Sequence, residues 1–441
     1  MSPGPAALEA RSGTRRMVDN LVKLLGGKAM AGLISLVYLV IIPHRLGVQA
    51  YGIFSLINAY VLMVGSLVAF SGFQGVVRYG AIALEAGDTQ GFARIVRFMT
   101  VIELIFGVIA IVVAAALAPV IGPRLGWSHE AIEYATIYSL AVLATVRATP
   151  QGLLQIEGRF DLLGLHQTFS PLIRLTGAVL VWWFGGGLKE FLAFWLVGAV
   201  VEGVSMWVMA LGAWRRLSSG APMIGPWSGV LDAHRGIGRF ILATNFDISC
   251  RELATNLAPL TVGWLLGPVA AGVLSLAQRA CTVLQQPAVL LGRASYPILV
   301  GHFAKGELGE LRGTVWRSTT ITVVVAAVVT LILTLLSERL IVLMGGESFR
   351  GGGGLLALTA VARAVGLVSI IFVSAVMALG KPGKTLSITL LANIVLYPIL
   401  PLLLHVFGLY GAGYHDILIN VIELLALLAV FYSSTKRAIT G

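Results

Sequence analysis

Charge is scarce in this chain. Of its 441 residues, 12% are Asp, Glu, Lys or Arg, against roughly 25% in an ordinary soluble domain, and the mean hydropathy is +0.91. With 57% hydrophobic residues, that scarcity excludes a water-soluble globular protein and leaves a polytopic membrane protein. Cysteine is scarcer still. Cys250 and Cys281 are the only two; both fall in apolar segments at no metal or redox spacing, so they read as small core residues. No HExxH, paired CxxC or GxSxG is present, so no catalytic residue and no metal ligand is assigned. Gly351 to Gly354 are not followed by Lys-Ser or Lys-Thr and do not make a phosphate loop. The first twenty residues lack an apolar core before a small-residue cleavage site, so no cleaved signal peptide is expected.

What the chain has in abundance is apolar runs of membrane length. At about 20 residues per crossing, twelve segments qualify: 25–44, 51–71, 97–121, 133–155, 163–184, 190–213, 238–264, 269–291, 316–336, 354–378, 383–406 and 411–432. The net charge of +11 does not indicate nucleic acid, because the basic residues crowd the connections on one side, from Arg11 to Arg437. Only Arg45, Arg124, Lys189, Arg339 and Arg350 fall on the other, which sets both termini in the cytoplasm. The predicted organisation is a cytoplasmic segment 1–24, a six-helix bundle 25–214, a cytoplasmic linker 215–235, a second six-helix bundle 236–432 and a tail 433–441. Pro222, Pro226 and the linker glycines read as a hinge.

The two bundles are copies of one unit. Leu46–Leu56, LGVQAYGIFSL, recurs 220 positions later as Leu266–Leu276, LGPVAAGVLSL, with Leu, Gly, Ala, Gly, Ser and Leu shared in register. Each copy reads as a turn between two membrane helices. Gly158 matches Gly380 and Glu202 matches Glu423 further along. Six helices per copy start both on the same side, so the repeats are related by an axis along the membrane normal, with a cavity between them. Pro43, Pro150, Pro171, Pro287 and Pro398 are placed to bend helices and free carbonyls toward a wet interior.

Ionisable side chains at membrane depth cost at least about 2.5 kcal/mol each, so each needs a partner, water or a function. Here Lys28, Arg147, Arg174, Arg239, Arg251, Arg279 and Arg363 outnumber Glu103, Glu202, Asp247, Glu252 and Glu423. Arg147, Gln151 and Gln155 form one helical stripe; Gln167, Ser170 and Arg174 form another; Ser275, Arg279, Thr282 and Gln286 continue the second repeat motif, with Gln278 beside them. Structural readings compete at several positions. Asp247 and Arg251 stand i, i+4 and neutralise each other; Glu103 pairs with a loop arginine; Glu202 and Glu423 act as equivalent partners of buried arginines. A cationic cavity suits an anionic cargo, because guanidinium binds phosphate bidentately and stays charged when desolvated. A lipid-linked pyrophosphate fits, held by Lys28, Arg147, Arg174, Arg251, Arg279 and Arg363 with Gln286. Asp247, Glu252 or Glu423 would couple to protons or sodium where an ion gradient is used; no cofactor is called for.

The stretch KLLGGKAMAGLISLVYLVIIPHRLGVQAYGIFSL from Lys23, the pair Arg78-Tyr79, and GRFILATNF followed by VGWLLGPVAAGVLSLAQRA carry a resemblance over the whole chain. The sequence resembles the multidrug/oligosaccharidyl-lipid/polysaccharide (MOP) exporter superfamily, in the polysaccharide transporter branch that contains O-antigen-type flippases. The resemblance implies an all-α membrane protein of about twelve transmembrane helices in two six-helix bundles, forming a V-shaped, pseudo-two-fold transporter. It also implies a function, the translocation of undecaprenyl-diphosphate-linked oligosaccharide across the bacterial inner membrane by alternating access, with lumen arginines on the pyrophosphate. The implied partners are that lipid-linked oligosaccharide, membrane lipids, and polysaccharide polymerase and export machinery. Many members carry an acidic residue shortly before the motif glycine, whereas NLAPLTVGWLLG here is uncharged and the carboxylates lie earlier, at Asp247 and Glu252. Two rival functions remain open. A cation-coupled multidrug exporter of the same superfamily calls for an acidic cavity; a membrane polysaccharide polymerase or ligase calls for a long outer loop with catalytic arginines and histidines.

Overall fold

The structure, a computed structural model, describes the backbone of residues 5–234 and 236–440, and the side chains of residues 26–435 apart from 235, 247, 251, 254, 283–298, 304 and 382. Among the described residues every regular element is helical. The principal helices are α1 (Pro5–Val68), α2 (Thr89–Ile121), α3 (His129–Tyr138), α4 (Ala148–Ile156), α5 (Phe160–Phe184) and α6 (Leu188–Leu217), then α7 (Ile237–Ala304), α8 (Leu308–Gly345), α9 (Gly353–Ala378), α10 (Pro382–Leu396), α11 (Ile399–Phe407) and α12 (Tyr410–Thr440).

Seven helices among the described residues are long and apolar enough to cross a membrane, and the bent pair α10–α11 makes an eighth. α1 and α7 each hold two predicted spans end to end, divided where Gly47 (φ 71°) and Gly267 (φ 84°) leave helical geometry. Only glycine takes these positive φ values without strain. The two remaining predicted spans are the polar ones: 133–155 is broken, and 163–184 carries Gln167, Ser170 and Arg174. α8 shows why the surface is read as lipid-facing, since Val328 is 52% and Leu335 74% exposed where a soluble helix would present polar groups.

Packing divides the chain into two compact units. The first comprises Met1–Arg45 and Ile57–Leu253; the second comprises Leu46–Leu56 and Ala254–Gly441. In the first, Val76, Phe92, Ile95, Met99, Leu153, Leu154 and Trp214 build a buried apolar core. The linker docks on that core through Val230, Ala221 and Met223. Arg97 of α2 fastens it, donating to the carbonyls of Pro222 (2.6 Å) and Pro226 (3.3 Å), while Trp214 Nε1 donates to the Ala221 carbonyl at 3.0 Å. The proline segment read from sequence as a hinge is thus clamped to the first unit. The first turns of α7 join the same unit: where the chain leaves helix after Val68, Ser71 N–H donates to Asn245 Oδ1 (2.7 Å), and Ser249 Oγ donates to the Ser66 carbonyl (2.6 Å).

In the second unit the two copies of the repeated motif lie against each other. A Cβ on Gly52 would collide with the Pro268 carbonyl, and one on Gly272 would meet the Val48 carbonyl at 2.7 Å and Gly52 Cα at 3.0 Å. The motif's second glycine therefore permits backbone contact, the packing mode on which membrane helices rely where apolar burial gives no drive. Ser55, Leu56, Ser275 and Leu276 are buried at this crossing. A separate core of Leu311, Val315, Phe372, Ala375, Leu427 and Phe431 holds α8, α9 and α12 together.

Candidate ligand-binding and coupling site

The break in the fourth predicted span follows from one proline. In a continuous helix Pro150 would lack an N–H and press its ring on the carbonyl four residues earlier, that of Val146. The chain instead passes from a 3-10 turn, Ser139–Thr145, through non-helical Val146 (φ −78°, ψ 64°) and Arg147 (φ −145°, ψ 4°), and restarts as α4 with Pro150 in its first turn. The Val146 carbonyl and the first N–H groups of α4 have partners. Trp207 Nε1 donates to the Val146 carbonyl at 2.9 Å. The carboxylate of Glu103, fully buried on α2, accepts the N–H groups of Ala148 (2.5 Å) and Thr149 (2.9 Å). Glu103 therefore caps the half-helix and does not pair with a loop arginine. The carboxylate complements the positive end of α4, and N–H groups buried away from water must be matched.

Arg147 sits at the break itself, so it does not continue the Gln151 and Gln155 stripe. Its Nη1 forms an ion pair with Glu202 Oε1 on α6, and His166 Nε2 donates to the Glu202 carbonyl at 2.6 Å. The sequence reading of Glu202 as partner of an intramembrane arginine is what the contact shows, with Arg147 half-buried. Arg174 lies near enough to Arg147 for the two charges to repel. Its guanidinium stands over the Trp195 ring at 5.2 Å, and its buried Nε has no hydrogen-bond partner. Ser170 Oγ, one turn away, is also buried without a partner. Gly198 opens the space beside them: a Cβ there would lie 3.5 Å from both Ser170 Oγ and Arg174 Cγ. Among the described residues Arg174 has no ion pair, and the Trp195 face offers its charge a cation–π contact.

A second polar cluster belongs to the second unit. Arg363 of α9 and Asp416 of α12 interact electrostatically, with Gln278 and Cys281 of α7 beside them. His415 Nε2 donates to the Leu396 carbonyl at 3.1 Å, next to the 50° bend that Pro398 imposes between α10 and α11. Glu423 accepts from Thr389 Oγ1 at 2.7 Å. Glu202 and Glu423, equivalent in the repeat, thus serve an arginine in one unit and a threonine in the other.

The structure brings Arg147 and Arg174 together in the first unit and sets Arg279 and Arg363 in the second. Lys28 and Glu252 are exposed in the first unit. The side chains of Arg251, Gln286 and Asp247 lie outside the described residues. Sequence reasoning passed over Asp416 because it falls near the start of the last predicted span, where a carboxylate reads as interfacial. Among the described residues no cluster of His, Cys, Asp and Glu is arranged to hold a metal ion.

Residues 41–352 match the family described as polysaccharide biosynthesis protein. The chain is similar to the inner membrane protein YghQ of Escherichia coli (strain K12), at 26% identity over 294 residues, 64% of this chain and 80% of that one. Two solved structures share the fold. One is a multidrug resistance MATE family transporter of the MOP superfamily in an inward-facing conformation, at a TM-score of 0.71 and 15% identity, covering 96% of this chain and 98% of that one. The other is the lipid II flippase MurJ, at a TM-score of 0.66 and 12% identity, covering 95% and 90%.

Proposed function

The chain belongs to the family of polysaccharide biosynthesis proteins, and from that premise we propose that it is a flippase, carrying polyprenyl-diphosphate-linked oligosaccharide repeat units across the bacterial inner membrane by alternating access. It makes and breaks no covalent bond. The observation that supports this reading is Arg174, a guanidinium with no carboxylate partner among the described residues, beside a broken membrane helix. Discontinuous helices in transporters expose half-helix ends and polar side chains to cargo at membrane depth. Here the half-helix end and Arg147 are already matched by carboxylates, which leaves Arg174 to take the anionic headgroup. Ser170 Oγ supplies an adjacent donor. Within the second unit Arg279 and Arg363 are further cationic candidates for an anionic cargo, with both termini in the cytoplasm.

A hydrogen bond to a charged group contributes about 1.5–3 kcal/mol, so Arg174→Ala should weaken cargo binding by roughly 10- to 150-fold. In a deletion strain complemented with Arg174→Ala at wild-type protein level, surface polysaccharide should fall steeply, with Arg174→Lys intermediate because a point charge replaces the fork. Full output from Arg174→Ala would refute the reading. The MATE likeness keeps a multidrug exporter as the rival; drug hypersensitivity of the deletion strain with unchanged polysaccharide would favour it. A polymerase would leave single lipid-linked units on the outer leaflet, a missing flippase on the inner one.

A further inference from the structure

The pair Arg78-Tyr79 is conspicuous in the sequence, and the Arg174 cluster gives it no task. It lies in a π-helical turn, Val76–Gly80, shortly after α1 ends, a geometry that recurs at functional sites. The Tyr79 ring meets Phe240 of α7 edge-on at 5.8 Å and the His234 ring at 6.0 Å. The Arg78 guanidinium stands over Phe240 at 4.8 Å and over Tyr79 at 5.6 Å, yet Arg78 is exposed. A guanidinium stacked on rings keeps its in-plane N–H groups free, and among the described residues no ion pair engages them. α7 supplies the rest of the surface. Arg239, beside Phe240, is exposed. Leu242 and Phe246 follow it at i+3 and i+7 on one helix face and are 71% and 67% exposed. The stripe thus runs from a cation at the edge of the predicted span 238–264 to apolar side chains deeper in it. All of these residues belong to the first unit.

We propose that this end of the first unit binds the phosphate headgroup of an anionic phospholipid, with Arg78 as its bidentate partner, Arg239 as a second cation and an acyl chain along Leu242 and Phe246. A guanidinium meets two phosphate oxygens through parallel N–H bonds. Phe240 and Tyr79 fix its plane before the lipid arrives, so less conformational freedom is lost on binding. An exposed arginine at an anionic membrane surface gains about fivefold in affinity, and two gain about 25-fold. That is enough to select a lipid present in bulk and too little to capture a scarce cargo, so the occupant is the phospholipid and not the polyprenyl diphosphate. On the topology proposed above, the lipid belongs to the cytoplasmic leaflet; binding itself does not depend on the flippase reading.

The test is native mass spectrometry of the full-length protein, titrated with phosphatidylglycerol and, in parallel, with phosphatidylcholine of the same acyl chains, reading the dissociation constant of the first bound lipid. Arg78→Ala and Arg239→Ala should each weaken phosphatidylglycerol binding about fivefold and leave phosphatidylcholine unchanged. Arg94→Ala, at another exposed arginine of the same unit, should match the wild type with both lipids. Arg78→Lys should recover only part of the loss, because a point charge replaces the fork. Phe240→Leu keeps both charges but releases the guanidinium, and it should weaken phosphatidylglycerol binding as well, which a merely charged surface would not show. If Arg78→Ala fails to fold because its ring contacts clip the two helices together, Arg239→Ala decides. Unchanged phosphatidylglycerol affinity in the folded arginine variants, an equal loss in Arg94→Ala, or a wild type that binds both lipids alike would each overturn the proposal. Displacement of phosphatidylglycerol by polyprenyl diphosphate at a far lower concentration would make the surface an entry point for cargo and overturn it too, as would displacement by inorganic phosphate at equal concentration, since the acyl contacts would then count for nothing.

Discussion

Glu103 provides the sharpest test of the broken-helix geometry. Its carboxylate accepts two backbone N–H groups inside the protein, at 2.5 and 2.9 Å. An ordinary helix cap in water contributes about 1 kcal/mol, and an exposed ion pair with a loop arginine about 0–1 kcal/mol. Here water cannot replace the lost acceptor, and each buried N–H left unmatched costs about 1–3 kcal/mol. Glu103→Ala should therefore destabilise the protein by about 2–6 kcal/mol. Glu103→Gln keeps one acceptor oxygen and turns an amide NH2 toward the other N–H, so about 1–3 kcal/mol is expected. Unfolding of detergent-purified variants, followed by tryptophan fluorescence against denaturant, measures both. Trp207→Phe removes the donor to the Val146 carbonyl and probes the other side of the same break. Since both residues hold one break, the double variant should lose less than the sum of the singles, with a coupling of about 0.5 kcal/mol or more. A Glu103→Ala protein within ~1 kcal/mol of wild type would refute the capping geometry and return Glu103 to the role of a surface partner.

Two further outcomes follow from packing. Gly272→Ala should impair folding, read as loss of monodisperse protein on size-exclusion chromatography, because the new Cβ meets the Val48 carbonyl and Gly52 Cα; Gly301→Ala, with nothing within 4 Å, should behave as wild type. Arg97→Ala removes both bonds to the Pro222 and Pro226 carbonyls, so limited trypsin treatment of inside-out vesicles should cut after Arg215 or Arg216 several-fold faster than in wild type, and an unchanged rate would show that the Trp214 bond and the apolar contacts suffice to hold the linker.

The sequence by itself determined the membrane class, the helical build and the duplication, because these depend on composition, on the length of apolar runs and on residues repeated at fixed spacing. It also marked Arg147, Arg174 and Arg363, since a charge in an apolar run is conspicuous whatever surrounds it. The tertiary structure decided what each charge does. Pro150 announced a bend, but only the fold shows that its cost is met by Glu103 and Trp207, residues 47 and 57 positions away. Glu202 and Glu423 are equal in the repeat, yet one meets Arg147 and the other Thr389, because the helices facing them carry different side chains. Asp416, near a predicted helix end, drew no reading from sequence; packing places Arg363 and Gln278 near it. The motif read as two separate turns is a single crossing in which Gly52 and Gly272 let two backbones touch. Periodicity along the chain states which residues are apolar or charged and which share a helix face; which neighbour from another helix satisfies a buried group depends on three-dimensional proximity, and no local pattern encodes it.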